Sequence, residues 1–171
     1  MNYTASHDDG SPFDKDRKKT YEAGTKILLA PGISQVYYGD ETARTLTVAG
    51  AEGDANLRSN MNWNDVKNNP GTQKLLEHYQ KLGKYRANHP AVGAGIHNMI
   101  SQSPYWFTRT YGTDKVLVGL DLSYGLKEIS VANIFADGTK LRDAYSGKTT
   151  TVKNGKAAID TGFGIVLFEK I

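Results

Sequence analysis

Two groups of acidic side chains in the first third of the sequence have the chemistry of a catalytic or polar ligand-binding site. Asp8 follows His7 directly after a short extended run, Tyr3–Ala5, and the adjacent pair Asp40–Glu41 closes a second run one structural unit later. Carboxyl groups can serve in general acid–base catalysis, and histidine can donate a hydrogen bond to a polar ligand. Taken alone, the segment His7–Gly10 is more typical of a polar turn before a helix.

The pair Asp40–Glu41 can place at most one carboxylate in a shared site, because neighbouring side chains of a strand point to opposite faces. A structural role is therefore the preferred interpretation for this pair. Asp9, Asp14 and Asp16 precede a predicted helix, and we expect them to stabilise its positive N-terminal end.

Residues 1–90 predict alternating strands and helices. Ile33–Tyr38 is a short, mostly apolar run between glycines, as expected for a strand covered on both faces, and Lys15–Ala30 carries apolar residues at helical spacing. A second helix is expected to begin at Asn69–Pro70, a suitable N-cap followed by a suitable first helical residue, and to end before His89. This order of elements is typical of a parallel sheet.

From Ala91 onward, short aromatic or β-branched runs alternate with turn dipeptides, which predicts the antiparallel strands of a small β-sandwich. Asn154-Gly155 between Thr149–Val152 and Ala157–Asp160 predicts a hairpin, because a type I′ turn needs positive φ at both central residues. The other predicted strands are Tyr105–Tyr111, Lys115–Ser123, Glu128–Phe135 and Gly164–Glu169.

Four segments carry a family resemblance. Tyr3–Asp9 and Pro31–Glu41 stand one βα unit apart. Leu57–Trp63 contains the pattern R-x-x-M-x-W, and Lys81–Pro90 contains L-x-x-x-R-x-x-x-P. Together these segments resemble the last third of an α-amylase-type glycoside hydrolase, a retaining family whose catalytic domain is a (β/α)8 barrel.

The resemblance implies a fold in two parts: residues 1–90 would be units 7 and 8 of the barrel, and residues 91–171 the Greek-key β-sandwich that follows it. Asp8 would stabilise the transition state and His7 would bind the sugar at the end of strand 7, where barrel loops converge. The family's nucleophilic Asp and proton-donating Glu follow strands 4 and 5, and that stretch is absent from this sequence. The resemblance therefore implies part of a retaining glycosidase acting on α-glucans, inactive in isolation.

The long loop after the predicted eighth strand offers further candidates. Arg58 could reach the site and pair with a carboxylate, and a salt bridge that anchors the loop is an equally good interpretation. Trp63 is expected to be a packing anchor rather than a sugar-stacking platform. Glu52, Asp54 and Asn56 have calcium-like spacing but lack the glycine and the bidentate glutamate of such loops, so no metal site is expected. No cofactor is expected either.

Composition excludes several classes of partner. The 171 residues are 39% hydrophobic and 23% charged with a net charge of +3, which suits a globular protein and disfavours nucleic-acid binding. There is no cysteine, hence no disulfide, and no apolar run long enough for membrane insertion is expected. Cysteine content does not fix the compartment, and an extracellular or periplasmic location is favoured for the parent enzyme.

The expected partner is an α-glucan oligosaccharide or polysaccharide. The alternative is a noncatalytic carbohydrate-binding or structural β-sandwich module, in which Tyr105, Trp106 and Tyr111 could form a sugar platform. Since Tyr105 and Trp106 are adjacent in a predicted strand, one of them is expected in the core. Two βα units cannot close a barrel, so exposed strand edges are expected to make the isolated chain self-associate.

Overall fold

A computed structural model describes residues 1–131 and 133–171, and these divide into two compact units. Unit 1 comprises Met1–Arg86 and unit 2 comprises Ala87–Ile171. The chain thus has a mixed, largely helical N-terminal part followed by antiparallel sheets, which confirms the predicted fold class at this coarse level. In the described residues, no helix is long and apolar enough to cross a membrane.

The first helix of unit 1, α1, spans Thr20–Leu29 and begins later than the predicted start at Lys15. Arg17 has a φ of 58°, outside helical geometry. The buried carboxylate of Asp14 accepts hydrogen bonds from the amides of Lys18 (2.8 Å) and Lys19 (2.9 Å). Asp14 therefore satisfies amides just before the helix, and the prediction that Lys15–Lys19 is helical was wrong.

The long helix that follows is the best-predicted element of unit 1. A short helix, α2, spans Trp63–Asn68, and α3 spans Pro70–Asn88. The Oδ1 atom of Asn69 accepts hydrogen bonds from the amides of Gly71 (2.8 Å) and Thr72 (3.3 Å), which confirms Asn69 as the N-cap of α3. The buried face of α3 includes Leu75, Tyr79, Leu82 and Tyr85.

The contact between α1 and α3 depends on a small residue and on an arginine. A Cβ atom on Gly24 would lie 2.6 Å from the ring of Tyr79, so only glycine allows this approach. Arg86, near the end of α3, donates to the carbonyls of Leu28 (3.0 Å) and Ala30 (2.7 Å) and to that of Gly32. Arg86 thereby satisfies one carbonyl in the last turn of α1 and two carbonyls of the residues that follow the helix.

The two parallel strands predicted in unit 1, Tyr3–Ala5 and Ile33–Tyr38, are not formed as extended strands. Among the described residues of unit 1, pairing is limited to one parallel bridge between Asn2 and Ser34, where the Asn2 amide donates to the Ile33 carbonyl at 2.8 Å. The side chain of Ile33 is 72% exposed, so the prediction of a strand covered on both faces was wrong. An inner strand of a parallel sheet needs a neighbour on each side, and each segment here has one.

In its described residues, unit 2 consists of one helical turn and two antiparallel sheets. The elements are α4 (Pro90–Ala94), β1 (Ile96–Gln102), β2 (Tyr105–Tyr111), β3 (Asp114–Leu120), β4 (Gly125–Ser130), β5 (Lys140–Asp143), β6 (Thr149–Thr151), β7 (Lys156–Thr161) and β8 (Val166–Lys170). A six-stranded sheet has the order β1-β2-β3-β8-β5-β6, and β4 pairs with β7. The sequence did not predict β1, an exposed edge strand, or β5, which has only four residues.

Both sheets contribute to one hydrophobic core. Val116, Leu117 and Val118 of β3 are all at most 1% exposed, so this central strand is covered on both faces. Trp106 of β2 is buried in the core, and it lies directly opposite Gly119 of β3 in the strand register. This confirms that one of the aromatic residues 105 and 106 belongs to the core.

The predicted hairpin around Asn154-Gly155 is correct at its turn and wrong along its strands. Both turn residues have positive φ (50° and 69°), and the flanking residues Lys153 and Lys156 exchange two backbone hydrogen bonds. However, β6 pairs with β5 and β7 pairs with β4, so the strands enter different sheets. Val152 and Ile159 both belong to the hydrophobic core to which the two sheets contribute.

The predicted strand Glu128–Phe135 is also shorter in the structure. Its observed counterpart β4 ends at Ser130, and Ala132 lies outside the described residues. The amide of Phe135 donates to the carbonyl of Val131 at 2.9 Å, which is a turn contact. Buried Val131 and Phe135 thus join the core from a turn rather than from a strand.

We predict that Gly119→Ala destabilises unit 2. A Cβ atom at position 119 would lie 2.6 Å from the indole of Trp106, and overpacking of this kind costs about 1–3 kcal/mol. Gly162→Ala is the matched control, because no described atom lies within 4 Å of its added Cβ. Urea unfolding should show a lower midpoint for Gly119→Ala than for Gly162→Ala. Equal midpoints would contradict the proposed fit between Gly119 and Trp106.

Candidate functional site

His7 and Asp8 lie on the surface of unit 1, directly after two buried residues, Ala5 and Ser6. Their side chains are 65% and 61% exposed, and the Nε2 atom of His7 lies 3.7 Å from the Oδ2 atom of Asp8. The Ser6 hydroxyl donates to Asp8 Oδ1 at 2.8 Å. The buried start of the segment therefore positions a solvent-facing acid and an imidazole side by side.

The surroundings of Asp8 favour its charged form. The hydrogen bond from Ser6 is the largest cause that lowers the pKa of Asp8, and the nearby side chains of His7 and Arg58 act in the same direction. An ionised carboxylate is only an acceptor of hydrogen bonds. Asp8 is therefore suited to accept hydrogen bonds from hydroxyl groups of a ligand at neutral pH.

Arg58 joins this pair from a distant part of the sequence. Its Nε atom donates to the carbonyl of His7 at 3.1 Å, and one terminal nitrogen forms an ion pair with Asp54 at 3.8 Å. The two sequence interpretations of Arg58, a reach toward the site and a loop-anchoring salt bridge, thus coexist. The structure brings together all three predicted site residues, which we call the His7–Asp8–Arg58 cluster.

Asp40 and Glu41 do not face this cluster as a catalytic pair. Asp40 is 2% exposed, its Oδ1 atom lies 2.8 Å from a terminal nitrogen of Arg17, and its Oδ2 atom accepts from Thr4 at 3.3 Å. Burial raises the pKa of Asp40, and the Arg17 guanidinium opposes that shift. Glu41 accepts a hydrogen bond from the amide of Gly39 at 2.9 Å. These contacts hold the chain segment in place.

Trp63 is 64% exposed, so the prediction that it is a packing anchor was wrong. It begins the six-residue helix α2, and none of the residues of that helix, all of which the structure describes, is buried. A helix this short has no apolar face to bury against a core. The tryptophan ring is consequently available to a ligand or to another protein surface.

The loop between residues 42 and 56 is fixed by an asparagine. Asn56 accepts from the amide of Val48 at 2.8 Å and donates to the carbonyls of Ala51 (3.1 Å) and Gly53 (3.3 Å). Its side chain therefore holds the loop. No group of three or more metal-ligating side chains occurs in the part of the chain that the structure describes.

A cleft adjoins the His7–Asp8–Arg58 cluster in unit 1. Its volume is about 190 Å³, below the ~300–1,000 Å³ typical of small-molecule pockets. The cleft is therefore too small to enclose an oligosaccharide by itself. The lining residues are Asp9, Gly10, Pro12, Lys15, Leu46, Gly53, Asp54, Asn56 and Leu57.

The aromatic candidates of unit 2 form a smaller surface than the sequence indicated. Trp106 belongs to the core, while the Tyr105 ring lies tilted against that of Phe107 with 5.4 Å between ring centroids and its hydroxyl contacts His97 at 3.2 Å. Tyr111 is 55% exposed. Sugar stacking in unit 2 would thus depend on Tyr105 and Tyr111 without Trp106.

The sequence did not predict two side chains that hold the residues of the cluster or their neighbours in place. The hydroxyl of Ser6 orders Asp8, and the pattern Ser-x-Asp is a recognisable signal for such a local turn. Arg44 is fully buried among backbone carbonyls near Arg58, and a lone arginine in a long loop carries no sequence signal for this placement.

Comparison with known proteins finds a similar sequence and several similar structures. No protein-family profile matches the chain. The periplasmic alpha-amylase of Escherichia coli strain K12 is 38% identical over 119 residues, which cover 69% of this chain and 17% of that protein. This chain therefore spans about a sixth of the length of that relative.

Solved structures share the fold. The structure of AmyP E221Q in complex with maltotriose matches with a TM-score of 0.68 at 19% identity, over 89% of this chain and 34% of that one. The alpha-amylase of Geobacillus thermoleovorans, complexed with acarbose, matches with a TM-score of 0.67 at 16% identity, over 91% of this chain and 33% of that one. At these identities the likeness shows the fold alone.

We predict that Ser6→Ala raises the pKa of Asp8 toward its ordinary value of about 3.9, because the hydrogen bond from Ser6 is the largest cause of the lowered value. In the unmodified chain the lowered pKa keeps the Asp8 carboxyl group ionised to lower pH. In Ser6→Ala the same group should therefore lose its charge at a higher pH. NMR titration of the Asp8 carboxyl carbon measures this. Ser11→Ala is the control, and an Asp8 midpoint that moves equally in both variants would contradict the assignment.

Proposed function

We propose that this chain, a partial homologue of the α-amylase family of glycoside hydrolases, is the C-terminal part of a retaining enzyme that acts on α-glucans such as starch and maltooligosaccharides. The observation that supports this best is local: Arg58 meets His7 across 51 positions of the sequence, beside an ionised Asp8. These are the three residues for which the family resemblance implies a role in the site.

In this proposal, unit 1 corresponds to barrel units 7 and 8. The parallel bridge between Asn2 and Ser34 supports neighbouring parallel strands at this point, and His7 follows the first of them. Residues at the C-terminal ends of barrel strands converge on one face, where active sites of such barrels lie. Unit 2 corresponds to the Greek-key β-sandwich that follows the barrel, and the domains are residues 1–90 and 91–171.

The chemistry proposed for the cluster is transition-state stabilisation. Retaining glycosidases cleave through an oxocarbenium-like state with two carboxyl groups about 5 Å apart, a nucleophile and a general acid. In this proposal those two groups belong to the part of the enzyme that precedes unit 1. Asp8 accepts hydrogen bonds from hydroxyls of the reacting ring, and His7 donates one to the same ring. These contacts accelerate the reaction to the extent that they strengthen in the transition state.

The second candidate function is a noncatalytic carbohydrate-binding or structural module formed by unit 2. Its compactness and its own hydrophobic core favour an independent role. The two functions differ in where a sugar binds. Chemical-shift changes caused by maltoheptaose at Tyr105 and Tyr111 support the module, and changes at His7 and Asp8 support the enzyme.

In the enzyme that contains this chain, we expect Asp8→Asn to lower kcat by at least ~10²-fold on maltooligosaccharides, the scale for loss of one preorganised transition-state contact. Asp16→Asn is a matched control, because the exposed Asp16 carboxylate lies 3.7 Å from the Lys18 ammonium, outside both the cluster and the cleft lining. A reducing-end assay measures both variants.

Three results would count against this prediction or limit it. An unchanged kcat/KM for Asp8→Asn contradicts the role of Asp8, and a change confined to KM indicates equal binding of ground and transition states. The isolated chain serves as the baseline. Turnover above ~1 s⁻¹ by the isolated chain would contradict the view that the nucleophile and acid lie elsewhere.

We further expect the isolated chain to self-associate through unit 1. Ile33 is 72% exposed beside a strand segment with one neighbour, and such edges are templates for intermolecular pairing. Ile33→Lys should shift the mass from light scattering toward the monomer. Tyr124→Lys, at a 78% exposed tyrosine of unit 2 that lies outside the described strands, is the control that should leave association unchanged. A monomeric unmodified chain would contradict the expectation.

A further inference from the structure

We propose that Arg44 is a positioning residue for the site: together with Tyr37 and Tyr38 it binds the backbone carbonyls of Leu57 and Ser59, the two residues that flank Arg58. This arrangement holds the Arg58 guanidinium against the carbonyl of His7. Arg44 acts only through Arg58, so the inference rests on the proposed function of the His7–Asp8–Arg58 cluster.

Two carbonyl groups flank Arg58, and each accepts two hydrogen bonds. The Leu57 carbonyl accepts from the Tyr37 hydroxyl at 3.0 Å and from Nη2 of Arg44 at 3.1 Å. The Ser59 carbonyl accepts from the Tyr38 hydroxyl at 2.9 Å and from Nη1 of Arg44 at 3.2 Å. We call these four contacts the carbonyl clamp. One guanidinium bridges both carbonyls, which a single tyrosine cannot do.

The position of the Arg44 side chain is itself tightly determined. Arg44 is 1% exposed, and its Nε atom donates to the carbonyl of Tyr38 at 3.0 Å. The guanidinium carbon lies 3.9 Å from the ring centroid of Tyr38 and 5.3 Å from that of Tyr37. Among the described residues Arg44 forms no ion pair, and carbonyl dipoles and aromatic faces offset the burial of its charge.

The local sequence favours this geometry through one glycine. Gly39 has a φ of 86°, and its carbonyl accepts a hydrogen bond from the amide of Arg44 at 2.8 Å. A Cβ atom on Gly39 would lie 2.5 Å from both Cβ and Nε of Arg44. The turn from Gly39 to Arg44 thus requires glycine for its positive φ and because a Cβ atom would collide with the Arg44 side chain. The turn places the guanidinium of Arg44 against the rings of Tyr37 and Tyr38.

The clamp determines where Arg58 can reach. With the carbonyls of Leu57 and Ser59 held, the side chain of Arg58 leaves the backbone from a defined point and donates from Nε to the His7 carbonyl at 3.1 Å. The rest of the guanidinium is solvent-facing: its side chain is 54% exposed, and Nη1 has no hydrogen-bond partner among the described residues. It can therefore bind a sugar hydroxyl or a carboxylate from outside this chain.

Hydrogen exchange at the Nε–H group of Arg58 tests the proposal directly. In the 15N-labelled chain at mildly acidic pH, we expect this group to exchange more slowly than an unbonded arginine Nε–H. Arg44→Lys should make it exchange about tenfold faster, because one ammonium group cannot replace a planar guanidinium that spans two carbonyls. Amide spectra verify that the variant is folded.

Arg86→Lys is the matched control. Arg86 also lies in unit 1 and also donates to backbone carbonyls, those of Leu28, Ala30 and Gly32, which are distant in sequence from Arg58. A purely structural effect of losing a buried arginine would change the Arg58 rate equally in both variants, and that result would overturn the proposal. So would an unchanged rate in Arg44→Lys.

If Arg44→Lys does not fold, the double variant Tyr37→Phe/Tyr38→Phe decides. It removes one donor from each carbonyl and leaves Arg44 in place. We therefore expect a smaller increase, about threefold, in the exchange rate of the Arg58 Nε–H group. An unchanged exchange rate overturns the proposal. These measurements contain no sugar. A failure here leaves the assay of Asp8→Asn unaffected, and a failure of that assay leaves the clamp intact.

Discussion

Buried carbonyl groups in the irregular part of unit 1 must find donors without the help of a sheet, and arginine side chains supply them. Leaving such a group without a partner costs about 1–3 kcal/mol. Arg44 donates to the carbonyls of Tyr38, Leu57 and Ser59, and the carbonyl of Arg44 accepts from Nε of Arg17 at 2.7 Å. Since Arg17 also pairs with buried Asp40, one polar network joins the start of unit 1 to the loop that carries Arg58.

In unit 2, hydrogen bonds between paired strands satisfy many of the backbone carbonyl groups. The central strand β3 pairs with β2 on one side and β8 on the other, and its residues 116–118 are buried. Backbone pairing leaves its side chains free to pack in the core shared with β4 and β7. The two units therefore differ in how they satisfy many of their backbone groups, although unit 2 also contains a buried arginine, Arg109, that donates to the carbonyl of Val92.

Local signals in the sequence predicted those features that depend on a few neighbouring residues. Asn69 caps α3, and Asn154-Gly155 forms a turn with positive φ at both positions, because these geometries follow from side-chain hydrogen bonding and backbone sterics. The prediction of a strand at Ile33–Tyr38 was wrong because strand formation depends on neighbouring strands that lie outside the segment. Arg44 could not be predicted, since its role arises from carbonyls 13 and 15 positions away.

Family resemblance, rather than spacing, indicated the candidate site, and the structure adds the physical connection between its members. His7 and Asp8 are sequence neighbours, and Arg58 meets the His7 carbonyl from a loop 51 positions away in the sequence. The central claim is that this cluster contacts the sugar. A crystal structure of the enzyme that contains this chain, with acarbose bound, tests it most directly. The account predicts His7 and Asp8 side-chain atoms within about 2.7–3.2 Å of hydroxyls of the ring in the active site. Acarbose bound in that site with neither side chain in contact would contradict it.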